Sequence, residues 1–96
     1  MIKQNIVDNV SANTGLTKVE VEAVLNESFS QIINALSKND RIELRGFGTF
    51  AVRHRMPKKA RNPATGDPVY LPERYVPVFK PSKVMKKTIN DKLIEY

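Results

Sequence analysis

The sequence predicts an α+β fold: a helical hairpin base, a three-stranded antiparallel sheet bearing a long β-ribbon arm, and a C-terminal helix. Three observations carry the prediction. Apolar residues in the first forty positions recur at helical spacing. From residue 41 the period switches to two. Residues 53–75, "RHRMPKKARNPATGDPVYLPERY", then hold four of the six prolines and few large apolar residues, so they read as a limb that leaves the core.

Each element follows from its pattern. Ile2, Ile6 and Val10 lie at i, i+4 and i+8, one face of a short helix that Gly15 interrupts. Thr17 and Glu20 have capping-box spacing and start a second helix. Its apolar stripe is Val21, Leu25, Phe29, Ile32 and Leu36, widened by Val24 and Ile33, and "SKND" ends it. In "RIELR", Ile42 and Leu44 alternate against Arg41, Glu43 and Arg45. "TFAVRHR" resumes the alternation with Phe50 and Val52, which makes a hairpin joined near Gly46. A third strand, "YVPVFK", contains Pro77, which argues for an edge or a bulge because proline donates nothing to a ladder. Ser82 can cap a last helix whose apolar positions are Val84, Met85, Ile89 and Leu93.

Ninety-six residues suggest one domain, 1–96. A core of that size is often reinforced by a disulfide, a metal or a second subunit. Cysteine is absent and His54 is the one histidine, so disulfides and cysteine–histidine zinc sites are excluded. Oligomerisation is the most available source of further buried surface. No cofactor is expected. The N-terminus lacks the apolar run of a signal peptide, and no stretch approaches the roughly 20 apolar residues of a membrane span, so a cytoplasmic location is expected.

Charge is segregated. Residues 1–40 carry three lysines against five carboxylates, net −2, while residues 41–96 hold 13 basic and five acidic residues, net +8. Such asymmetry suggests a polyanionic partner.

The limb, about residues 54–75, reads as a continuation of the second strand. At period two, Arg53, Arg55, Lys59, Arg61 and Pro63 fall on one side of an unbulged ribbon. "NPATGD" reverses the chain, with Gly66 free to take positive φ, and "PVYLPERY" returns with Val69 and Leu71 alternating against Tyr70. A lone two-stranded hairpin is marginal in water, so the arm is expected to be mobile alone and ordered on a partner. Clustered arginine and lysine with no carboxylate until Asp67 point to phosphate. A solvated flexible loop is the bland alternative. Pro63 would serve as a turn former in an arbitrary protein. At an arm tip its rigid ring can also wedge between base pairs.

"GFGTF", "RNPATG" and "YVPVFKPSK", in that order and spacing, resemble the signature of the HU and integration host factor family of bacterial DNA-bending proteins. The resemblance spans essentially the whole chain and leans towards the integration host factor beta subunit through "RIELRGFG", "HRMP" and "ERYVPVFKP". It implies an intertwined dimer whose two arms enter the minor groove of double-stranded DNA and bend it. The partner subunit would be identical, or a related one. By the same resemblance Phe29, Phe47, Phe50 and Phe79 belong to the dimer core, and Pro63 is the intercalating residue. Arg53, Arg55, Lys58, Lys59, Arg61 and Asn62 contact DNA along the arm. By the likeness to the beta subunit Glu43 and Arg45 lie near a sequence-reading region, and the resemblance implies that Lys80, Lys83, Lys86 and Lys87 hold flanking phosphates. Ala60 departs from the usual glycine before "RNP", and Ser82 from the usual glycine after "KP".

Three other classes fit the sequence less well. "RGFGTFAV" resembles the RNP1 motif of an RNA-recognition module, but Thr49 stands where an aromatic is expected, Val52 ends the motif, and helices precede it. An enzyme is not expected. The only histidine lies in the basic segment, and Asp67, Glu73 and Asp91 lack metal-ligand spacing. A dimeric scaffold without bending activity remains an alternative.

Overall fold

The structure is a computed structural model that describes residues 1–94. The chain divides into two compact units, Met1–Ala35 and Leu36–Tyr96.

The first unit is helical. Helix α1 (Lys3–Thr14) ends at Gly15, whose φ of 80° lets its N–H reach the Ser11 carbonyl. Helix α2 (Lys18–Ser37) starts on Thr17, whose hydroxyl accepts the Glu20 N–H at 3.1 Å and donates to Glu20 Oε1 at 2.9 Å. The cap is therefore reciprocal, although the Glu20 carboxylate meets the hydroxyl and not the Thr17 N–H. Among the described residues Val7 and Val21 are the buried large apolar side chains, and Val7 is fully buried. The face through Ile2 and Ile6 expected to be buried is instead exposed, as are Val24 and Ile33. Burial has selected one side of each stripe, and the remainder is uncovered in a single chain.

The second unit holds the sheet. Strand β1 (Ile42–Leu44) pairs antiparallel with β2 (Gly48–Arg55), and β2 pairs with β5 (Arg74–Pro81), giving the order β1-β2-β5. Two further strands, β3 (Lys58–Arg61) and β4 (Pro68–Leu71), form a separate two-stranded sheet, the arm. Pro77 lies on the edge strand β5, as its chemistry requires. Helix α3 (Lys83–Leu93) starts on Ser82, whose hydroxyl accepts the Met85 N–H at 3.0 Å and donates to the Gly46 carbonyl at 2.9 Å. One side chain thus caps the helix and ties it to the β1–β2 turn.

Two hydrogen bonds set the phase of the two ladders. Ser82 N–H donates to the Phe47 carbonyl at 2.9 Å. In an antiparallel pair, bonded and unbonded rungs alternate. The bonded rungs of the body are therefore Thr49–Lys80, Ala51–Val78, Arg53–Val76 and Arg55–Arg74. Pro77 and Pro81 fall on unbonded rungs, where no donor is needed. The next bonded rung would join Pro57 to Pro72, and neither has an N–H to give. There the ladder stops, leaving Met56–Pro57 and Pro72–Glu73 unpaired.

Beyond this gap the residue register is unchanged, but the bonding phase is not. Asn62 N–H donates to the Asp67 carbonyl at 2.8 Å, which makes Ala60–Val69 and Lys58–Leu71 the bonded rungs and leaves Pro68 on an unbonded one. The expected single row of Arg53, Arg55, Lys59, Arg61 and Pro63 is corrected accordingly. Arg53 and Arg55 lie on the bonded face of the body ribbon, and Lys59 and Arg61 on the unbonded face of the arm. Pro63 belongs to the turn. Two opposed prolines, and not a bulge, divide the row. The return strand is likewise two strands, β4 and β5.

The aromatic cluster beneath the sheet is close. Phe79 lies 4.8 Å from Phe50 and 5.4 Å from Phe47, centroid to centroid. Phe79 is cross-strand from Phe50, and Gly48 admits its ring. A Cβ at Gly48 would lie 2.5 Å from Phe79 Cε2 and 2.6 Å from the Lys80 carbonyl oxygen. We predict that Gly48→Ala lowers stability by about 1–3 kcal/mol, as overpacking does, with a fall of roughly 4–8 °C in Tm for each kcal/mol. A thermal melt followed by circular dichroism checks this.

Candidate nucleic-acid interface

Strand alternation gives the body sheet two unlike faces. One carries Ile42, Leu44, Phe50, Val52 and His54, with Phe79, Pro77 and Tyr75 opposite. The other carries Glu43, Thr49, Ala51, Arg53 and Arg55, with Lys80, Val78, Val76 and Arg74 opposite. The cationic residues are thus collected on the face turned away from the phenylalanines.

Three carboxylates of this unit are already engaged. Glu43 pairs with Arg41. Glu73 lies 2.6 Å from His54 Nε2, on the apolar face, where His54 also stacks on Tyr75 at 4.8 Å. Lys87 pairs with Asp91 at 2.8 Å along α3. Among the described residues, Arg45, Arg53, Arg55, Lys58, Lys59, Arg61, Lys80, Lys83 and Lys86 have no ion pair. Each is exposed, so the unpaired charge stands in water.

A depression lined by Arg41, Glu43, Arg45, Lys80 and Lys83 opens over the main chain at Gly46 and Gly48. The first turn of α3 contributes to it. That turn holds no acidic residue, so the positive end of the helix dipole adds to the lysines instead of being offset by a carboxylate. Such a site favours an anion.

At the arm tip, Asn62 frames the loop. Its carbonyl accepts the Gly66 N–H at 2.7 Å, and its Oδ1 accepts the Ala64 N–H at 2.9 Å. Gly66 takes φ 75°, as expected. Pro63 is thereby held exposed at the start of the turn. The resolved bonds of Asn62 all serve the loop itself, so the residue expected to touch a partner also shapes the tip. Phe47, Phe50 and Phe79 form one cluster, and Phe29 lies in the first unit, on α2. Arg41 and Arg74 were missed as candidates. Register could have found Arg74, because it faces Arg55 directly.

The profile of the bacterial DNA-binding protein family matches residues 1–90. Integration host factor subunit beta of Aeromonas hydrophila is 40% identical over 91 residues, covering 94% of this chain and 97% of that protein. The chain belongs to the HU and integration host factor family of bacterial DNA-binding proteins. The corresponding subunit of Idiomarina loihiensis is 38% identical over 90 residues, with 94% and 97% covered. Among solved structures, an Anabaena HU–DNA cocrystal structure matches with a TM-score of 0.85 and 35% identity, covering 93% of this chain and 97% of that one. HU from Thermotoga maritima matches at 0.68 and 27%, with 93% and 98% covered. The family's helices, antiparallel sheet and arm are those described above.

We predict that Asn62→Ala loosens the tip without unfolding the protein. Hydrogen exchange at Ala64 should accelerate several-fold, since its acceptor is lost, while Tm stays nearly constant because the arm forms its own sheet. Exchange detected by NMR checks both.

Proposed function

We propose that this member of the HU and integration host factor family is an architectural protein that binds double-stranded DNA through the minor groove and bends it with Pro63 on two arms. The observation that carries the reading is the divided cationic surface: unpaired Arg53, Arg55, Lys58, Lys59 and Arg61 lead from the sheet to an exposed proline. Phosphate contacts supply the affinity, which falls steeply with salt. Minor-groove proteins of this family are known for apolar wedges that unstack a base step at a cost of about a few kcal/mol, offset by the DNA they wrap. Lys80, Lys83 and Lys86 hold flanking phosphates near the start of α3. Lys87 joins them by exchanging Asp91 for phosphate. Sites that kink easily are favoured through shape.

The working form is a dimer with a second copy or a related subunit. Phe29, Phe47 and Phe79 are each more than 40% exposed in a single chain, and a partner's apolar surface would cover them. The chain acts on DNA in the bacterial nucleoid and needs no cofactor or small-molecule substrate. Among the described residues no helix is long and apolar enough to cross a membrane.

Three outcomes are expected. Melting temperature should rise with protein concentration over a hundredfold range, as linked assembly requires. End-to-end FRET on a short duplex should show the ends approaching when protein binds. Pro63→Ala should keep binding within a few-fold but lose most of that approach. Full bending by Pro63→Ala would remove the wedge from the account.

A further inference from the structure

The last bonded rung of the body ladder sets Arg55 directly opposite Arg74. Like charges opposite one another weaken a sheet, and bonded partners lie about 5.5 Å apart between Cα atoms. Arg53 adds a third guanidinium on the same face. No carboxylate answers them. Among the described residues neither Arg55 nor Arg74 has an ion pair, and Glu73, next in sequence to Arg74, is drawn to His54 on the opposite face. Arg74 makes one long bond, 3.5 Å, to the Pro72 carbonyl. The repulsion is thus placed where the ladder ends and the arm begins, beside the two unpaired prolines.

We infer that Arg55 and Arg74, with Arg53, form a phosphate clamp at the root of the arm, and that Arg74 is a DNA-contact residue in its own right. The inference rests on the DNA-binding reading above and extends it to the return strand. Two guanidinia on one rung can both donate to the oxygens of a single backbone phosphate, and a guanidinium–phosphate bond is among the stronger charge-assisted contacts. The bound anion would also relieve the cross-strand repulsion. Phosphate contacts orient a protein on the duplex without reading sequence, so this clamp fixes where the arm enters the groove.

The test compares the full-length wild type, Arg74→Ala and Arg74→Glu on one random-sequence duplex, by titration at several salt concentrations, with thermal melts of the free proteins. Arg74→Ala should reduce the slope of log Kobs against log salt by about 0.9 for each Arg74 engaged. Arg74→Glu should bind more weakly still, yet melt above Arg74→Ala, because a carboxylate opposite Arg55 replaces repulsion with an ion pair. Weaker DNA binding from a more stable protein is the signature of the clamp. If wild type binds with its full salt dependence and both variants share its slope, the clamp is wrong while the DNA reading stands. If both variants melt below wild type with an unchanged slope, Arg74 is structural. If wild type binds no duplex, the DNA reading fails and the clamp fails with it.

Discussion

An antiparallel ladder asks for a backbone N–H at every second residue, and this chain places its prolines against that demand with consistency. Pro77, Pro81 and Pro68 occupy unbonded rungs. Pro57 and Pro72 meet on a rung that would need two donors, and the sheet ends there. The division of one long hairpin into a body and an arm follows from that single rung. So does the change of bonding phase, since two unpaired residues on each strand free the ribbon to resume in another setting.

The distribution of carboxylates matters as much as that of cations. Glu43 is held by Arg41, and Glu73 by His54. These two acidic groups are thus occupied by neighbours and do not neutralise the basic face. A solvent-exposed ion pair contributes little to stability. Here the arrangement chiefly keeps Arg45, Arg53, Arg55 and Arg74 available. A sheet selected for stability alone would not retain Arg55 opposite Arg74, and natural proteins commonly tolerate such costs where a ligand is bound.

Short-range devices hold the second unit in register. Ser82 caps α3 and bonds the β1–β2 turn with the same hydroxyl. Gly48 leaves space for the Phe79 ring, which touches both Phe47 and Phe50. The cluster stays partly exposed in the single chain. This is the expected economy of a small protein without disulfides.

The sequence by itself determined the order of elements, the caps and the turns, because these depend on residues three or four apart. The Thr17–Glu20 spacing, the Ser82 cap, the helix break at Gly15, the positive φ of Gly66, and the edge position of Pro77 were all legible locally. The basic limb and its terminal proline were legible as composition. Tertiary structure decided what composition leaves open. Which apolar side is buried, Val7 in place of Ile2 and Ile6, depends on how α1 and α2 meet. Which cations share a face depends on ladder phase, and phase is set by bonds such as Ser82 to Phe47 and Asn62 to Asp67, which join residues flanking the ends of paired strands. Arg74 escaped notice for the same reason: its neighbour in space, Arg55, lies on another strand, and only register brings the two together.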